Sequence, residues 1–130
     1  MKRFAGGVLA AILLAGAGGC SNGTGPVAGV LTISLQTPNA GADGAILLTV
    51  TGPQALTRVT AGTGLDVFST PLSTTTKLAV TGPLTNTAIV TIGVADVDKV
   101  AQYTATVQSV AASSDFQLRP LAGYSLTVSR

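Results

Sequence analysis

The residue types that carry out most enzymatic acid–base chemistry are scarce in this 130-residue sequence. It contains no histidine and no glutamate, and its carboxylate side chains are Asp43, Asp66, Asp96, Asp98 and Asp115. Without histidine, neither a Ser-His-Asp nor a Cys-His catalytic arrangement can be built. Nothing in the sequence marks a facing carboxylate pair of the kind that glycosidases use, and zinc lacks its usual ligands. We therefore expect a protein that is not an enzyme and that needs no cofactor.

Asp96 and Asp98 are the candidate metal ligands with the most specific spacing. Two carboxylates two residues apart, in a loop after a strand, offer oxygen ligands to Ca²⁺. Calcium needs six to eight oxygens, and neither the glycine nor the distal glutamate of an EF-hand loop is present. The alternative interpretation is a solvated turn beside Lys99.

Cys20 is the only cysteine in the chain, so it cannot form an internal disulfide. Before it come a basic pair, an apolar run and two small residues: Lys2-Arg3, Phe4–Ala17 and Gly18-Gly19. A basic start, a short apolar segment and small residues before a cleavage site are typical of a secretory signal peptide. Because the apolar segment is shorter than the roughly 20 residues of a membrane-spanning helix, we predict a signal peptide over residues 1–19.

The residues Ala17-Gly18-Gly19-Cys20 resemble the lipobox of bacterial lipoproteins, although that family prefers leucine where this chain has Ala17. The resemblance implies a covalent lipid on Cys20 and a membrane-anchored protein of the cell envelope. An aspartate directly after the cysteine would resemble an inner-membrane retention signal, but this chain has Ser21 at that position. The resemblance therefore implies the outer membrane if the source is a diderm bacterium. The alternative is a soluble exported protein in which Cys20 is an ordinary thiol.

Charge is sparse and balanced after the predicted signal peptide. Two of the seven basic residues, Lys2 and Arg3, lie within that peptide, so five basic side chains remain against five aspartates. No basic patch for nucleic acid is present. Nineteen threonines supply most of the polarity, and a composition rich in β-branched residues favours strands.

After a flexible tether over residues 20–29, residues 30–130 are expected to form one all-β domain. Apolar and polar residues alternate with period two over short segments that turn residues separate. The predicted strands cover residues 31–35, 45–51, 57–61, 65–69, 77–81, 88–94, 103–108 and 124–128. Seven or eight short strands with turns about every ten residues predict a single antiparallel β-sandwich.

Two of these segments carry more specific predictions. Ala45–Thr51 is nearly all apolar, which predicts a central strand that is buried on both faces. Gly82-Pro83 follows the segment that ends at Thr81, and we expect this pair to stop the strand.

The strand series from Val30 to Val128 resembles the cohesin and carbohydrate-binding type of β-sandwich. The similar features are the short strand Leu31–Leu35, the buried strand Ile46–Val50, Gly82-Pro83-Leu84 before Ala88–Val94, and the closing strand Gly123–Val128. The resemblance implies a sandwich that binds a ligand without catalysis. It transfers no partner, because none of the family's contact residues can be matched here.

The aromatic side chains divide into core and surface candidates. Tyr103 and Tyr124 are in register with apolar neighbours and are expected to pack in or beside the core, whereas Phe116 lies in a predicted loop and is the best candidate for an exposed contact. We predict a non-catalytic binding module for a glycan or protein ligand. The alternative is a structural envelope component that pairs with itself or with another envelope protein through its sheet edges.

Overall fold

The computed structural model describes residues 25–130, and nearly all of them belong to strands or short connections. Eight strands and one 3₁₀ helix follow one another along the chain. They are β1 (Gly29–Gln36), β2 (Asp43–Thr51), β3 (Arg58–Ala61), β4 (Asp66–Leu72), β5 (Thr75–Leu84), β6 (Ala88–Val94), the 3₁₀ helix (Val97–Gln102), β7 (Thr104–Ala112) and β8 (Ser125–Ser129).

The strands form two four-stranded antiparallel sheets, and the predicted all-β sandwich is confirmed. Sheet 1 has the order β3-β6-β1-β8, and sheet 2 has the order β4-β5-β2-β7. Each β1 residue with an inward side chain, Leu31, Ile33 and Leu35, is fully or almost fully buried. Their partners in the core come mainly from β2, β5 and β6, so the period-two alternation of the sequence determines which side chains enter the core.

The central position of β2 is confirmed, but the prediction that both of its faces are buried is wrong. Ile46, Leu48 and Val50 point into the core, whereas Leu47 on the opposite face remains 50% exposed. The reason is architectural. A two-layer sandwich buries only the inner face of each sheet, and no third layer of the described chain covers sheet 2.

Gly82-Pro83 does not stop β5, which continues to Leu84. The pairing with β2 shifts here, because Asp43 pairs with Leu84 while Ala45 pairs with Thr81. Gly82 has a φ angle of +126°, a conformation that a residue with a side chain rarely adopts. The Gly-Pro pair therefore forms an irregularity within the strand, next to the first residue of β2.

The antiparallel arrangement gives the sandwich two distinct ends. Residues 25–28, the start of β1, the 3₁₀ helix and Arg130 lie at one end, which we call the tether end. The connections over residues 37–42, 62–65, 85–87 and 113–124 lie at the opposite end, which we call the distal end.

Residues 20–24 of the predicted tether lie outside the described part of the chain. Within the rest of it, the carbonyl of Val27 accepts a hydrogen bond from the backbone N–H of Val97 at 2.8 Å, and β1 begins at Gly29. From residue 25 onward, no helix is long and apolar enough to span a membrane.

Candidate functional site

A fully buried carboxylate, Asp43, organises the distal end. Its side chain has no solvent exposure, and three side chains donate hydrogen bonds to it. The Thr37 hydroxyl donates to Oδ2 at 2.6 Å, the Tyr124 hydroxyl lies 2.9 and 3.0 Å from Oδ1 and Oδ2, and Arg119 Nε donates to Oδ1 at 3.1 Å. A buried charge is tolerated when it is paired and hydrogen-bonded in this way.

The donors to Asp43 come from two separate distal connections. Thr37 belongs to the connection between β1 and β2, whereas Arg119 and Tyr124 belong to the connection between β7 and β8. The Asn39 side chain adds a further link, because its Nδ2 donates to the Tyr124 hydroxyl at 2.9 Å. The buried carboxylate therefore joins the ends of both sheets and fixes the connection over residues 113–124.

The connection over residues 113–124, which we call the distal loop, is built by local hydrogen bonds. Asp115 Oδ1 accepts from the backbone N–H of Gln117 at 3.1 Å, a turn typical of aspartate. Between them Phe116 adopts a positive φ of 59° and leaves its ring 74% exposed. The exposure predicted for Phe116 is therefore observed, whereas its role as a contact stays a prediction.

An apolar surface extends from the distal loop across the outer face of sheet 2. Its residues adjoin one another through strand pairing or a shared cavity, and we call them the apolar strip: Leu118, Ala111, Ala45, Leu47, Ala79 and Phe68. Phe68 is 63% exposed and Leu118 is 74% exposed. Two shallow cavities follow the strip and share Leu47 in their walls.

The larger cavity, of about 430 Å³, has apolar walls from Leu47, Phe68 and Ala79. Lys77 is its charged wall residue, and hydroxyl and amide groups complete it. The smaller cavity, of about 260 Å³, lies between Leu47 and Leu118 and is almost wholly apolar. Exposed apolar surface with polar groups at its margin marks surfaces that contact other molecules.

The outer face of sheet 1 has a different character. Its strands present mainly hydroxyl side chains to solvent, including Thr32, Thr60, Thr91 and Thr127, and Val30 is the large exposed apolar residue of its strands. The two outer faces therefore differ in their potential to bind apolar groups, and contiguous exposed apolar surface of this kind marks interaction sites.

Asp96 and Asp98 occupy the tether end and both have protein partners. Asp96 Oδ1 accepts hydrogen bonds from the backbone N–H groups of Asp98, at 3.0 Å, and Val27, at 3.3 Å. Asp98 forms an ion pair with Arg130 at 2.9 Å. Asp96 thus acts as the N-cap of the 3₁₀ helix. Within residues 25–130, no group of three or more potential metal-ligating side chains is present.

Tyr103 and Tyr124 both occupy the core-side positions that their register predicts. Tyr103 is buried, and burial, followed by the nearby negative charge of Asp96, raises its pKa. Its ring lies so close to Gly52 that a Cβ atom there would overlap it. Tyr124 is partly buried and uses its hydroxyl in the Asp43 network.

The signal peptide predicted over residues 1–19 and the lipid-attachment residue Cys20 lie outside the described residues. Sequence reasoning missed Asp43, which looked like an ordinary turn residue between Ala42 and Gly44. It also missed the exposure of Leu47, because a nearly all-apolar strand does not reveal whether a further layer covers its outer face.

Comparison with known protein families, with characterised proteins and with solved structures finds no match to this chain. The lipobox and cohesin resemblances therefore stay predictions from the sequence. The all-β sandwich, by contrast, is observed in the structure.

Proposed function

We propose that this protein is a lipid-anchored lipoprotein of the cell envelope whose β-sandwich is a non-catalytic binding module. Cys20 would carry the lipid, and the outer membrane would be its location if the source is diderm. The observation that carries the proposal is the position of the apolar strip. It runs from the middle of sheet 2 to its distal end and continues into the distal loop, whereas the chain enters the sandwich at the tether end.

The chemistry of the strip favours an apolar protein surface as its partner over a glycan. The strip offers leucine, alanine and one phenylalanine ring, and the chain contains no tryptophan. Sugar-binding surfaces commonly stack their ligands on exposed aromatic rings, whereas aliphatic side chains pack best against other apolar side chains.

The alternative function, association through sheet edges, has less support from the geometry. β3 and β8 are edge strands of only four and five residues, and the edge strand β4 contains Pro71. The edge of β7 is covered near its C-terminal end, because the backbone N–H of Arg119 donates a hydrogen bond to the Val110 carbonyl at 2.8 Å. Short, proline-containing or covered edges pair poorly with another chain.

The anchor is tested by Cys20→Ser in intact cells. The expected result is loss of the protein from the membrane fraction, because two or three acyl chains hold a protein essentially permanently and serine cannot carry them through a thioether. Unchanged partitioning of the Cys20→Ser variant would refute the lipid anchor.

The binding surface is tested by Leu47→Glu, which places a charge in the centre of the apolar strip. Crosslinking in cells followed by mass spectrometry should capture a partner with the parent protein and lose it with this variant. Thr127→Glu is the matched control, because it adds the same charge to the outer face of sheet 1. Equal capture by both variants would contradict the strip as the binding surface, and retention of the parent on glycan arrays would favour a glycan ligand.

A further inference from the structure

The two ends of the domain carry opposite charge, although the described chain is balanced overall. The tether half holds four basic and two acidic side chains: Arg58, Lys77, Lys99, Arg130, Asp96 and Asp98. The distal half holds one basic and three acidic side chains: Arg119, Asp43, Asp66 and Asp115. The side-chain charge is therefore +2 in the tether half and −2 in the distal half. A free carboxyl group at Arg130 would lower the first value by one and leave its sign unchanged.

Ion pairing within the domain leaves this separation intact, because each half contains one ion pair. The two ion pairs of residues 25–130 are Arg119–Asp43 in the distal half and Arg130–Asp98 in the tether half. Over the same residues, Arg58, Lys77 and Lys99 have no carboxylate oxygen within 4 Å. The unpaired charges at the tether half are thus mainly positive, whereas Asp66 and Asp115 remain as unpaired negative charges in the distal half.

The point at which the chain enters the sandwich lies at the positive end, close in sequence to the proposed lipid anchor. Val27 is hydrogen-bonded to Val97 and Asp96, and Cys20 precedes Val27 by seven residues. Seven fully extended residues span at most about 25 Å. Because this distance is an upper limit, the tether end can come within the Debye length of about 8–10 Å over which exposed charges act.

We propose that the tether end of the domain docks on an anionic bilayer surface, so that the distal loop points away from the membrane and the apolar strip lies clear of it on the side of the domain. This inference rests on the lipid anchor of the proposed function. The positive tether end is attracted to anionic lipid headgroups, and the negative distal end is repelled by them. Each basic residue near such a surface favours contact by about fivefold, and salt weakens the attraction.

The chain contains no tryptophan, so a single introduced tryptophan reports the distance of one end from the bilayer. Gln54→Trp marks the tether end and Ser114→Trp marks the distal loop; both replaced residues are exposed. The lipid-bearing protein is reconstituted in vesicles that contain a dansyl-lipid energy acceptor. One set of vesicles contains phosphatidylcholine alone, and the other contains phosphatidylcholine with about 30% phosphatidylglycerol as the anionic lipid.

On the anionic vesicles, energy transfer from the tether-end tryptophan should exceed that from the distal-loop tryptophan by about threefold or more. The difference should shrink on neutral vesicles and in high salt, where the Debye length falls to about 3 Å. A combined Arg58→Gln, Lys77→Gln and Lys99→Gln variant should lose the preference. The matched control, Asp66→Asn with Asp115→Asn, should keep it, because the positive end is intact. Equal transfer from both tryptophans on anionic vesicles would overturn the proposal.

A second arm separates this inference from the anchor. A protein that begins at Cys20 is coupled through its cysteine thiol to a maleimide lipid. This lipid supplies an anchor whether or not cells attach one. Orientation on anionic vesicles in this arm supports electrostatic docking even if Cys20→Ser leaves partitioning in cells unchanged. Random orientation in this arm overturns docking even if Cys20 is found lipidated in cells.

Discussion

Neutralising Asp43 should destabilise the whole sandwich, and Asp43→Asn is the sharpest version of this change. Asparagine keeps the size of the side chain and one acceptor oxygen, but it removes the charge that faces Arg119 and replaces the second oxygen with a donor. The Thr37 hydroxyl donates to Oδ2 and Arg119 Nε donates to Oδ1, so one of these two donors then faces an N–H group. Both the ion pair and part of the hydrogen-bond network are lost at one buried position.

The magnitude follows from the exposure of the two partners. Breaking a fully buried ion pair costs about 3–5 kcal/mol. The Arg119 side chain is 28% exposed while Asp43 has no exposure, so water can solvate part of the released guanidinium. We therefore expect a loss of about 2–3 kcal/mol in the free energy of unfolding, a large share of the roughly 5–15 kcal/mol that holds a typical domain together.

Urea unfolding followed by far-UV circular dichroism measures this loss, with all variants made in the Cys20→Ser chain. Asp66→Asn is the control, because it neutralises an exposed aspartate without an ion pair and should change stability by less than about 0.5 kcal/mol. In the Asp43→Asn variant, amide hydrogen exchange over residues 113–124 should accelerate at urea concentrations too low to unfold the whole domain. An Asp43→Asn chain within about 0.5 kcal/mol of the parent would refute the structural role of the network.

Three further outcomes are expected. Gly52→Ala should cost about 2 kcal/mol, because its Cβ would overlap the Tyr103 ring; Gly25→Ala, with open space around it, should leave urea unfolding unchanged, and equal midpoints would contradict the contact. Tyr103→Phe should flatten the decline of stability above pH 10. The ordinary pKa of tyrosine is 10.0 and burial raises the pKa of Tyr103 in the folded state, so the unfolded chain loses this proton first and is increasingly favoured as pH rises. An unchanged slope of stability against pH in this range would exclude Tyr103 as the cause. Chelator should not shift the thermal midpoint, because Asp96 and Asp98 are engaged with backbone N–H groups and Arg130; a drop of several degrees would implicate a bound cation.

The sequence carried enough information for the architecture because the signal was local. Alternation of apolar and polar residues, as in Leu31, Ile33 and Leu35, identifies strands and the face that each one buries. The irregular parts escaped for the opposite reason. Gly82-Pro83 has the composition of a strand end, and only its pairing with β2 reveals that the strand continues past it.

The candidate site was predictable only in part. Phe116 could be placed on the surface because its neighbours are polar and turn-forming. The Asp43–Arg119 pair joins residues 76 positions apart, and one sequence offers no signal that selects this pair among five aspartates and the remaining basic residues. Leu47 lies on the surface because no segment of the described residues covers the outer face of sheet 2. This absence follows only from the complete arrangement of the strands.

The strand order of sheet 1 has a consequence for the timing of folding. β1 lies between β6 and β8, so the first strand of the domain finds its two neighbours only from Ala88 onward, with β8 covering Ser125–Ser129 near the chain end. Sheet 1 cannot be complete before Ser125–Ser129 is available to pair with β1, and contacts of such long sequence separation form slowly. Closure of sheet 1 is therefore expected to be a late step in the folding of residues 25–130.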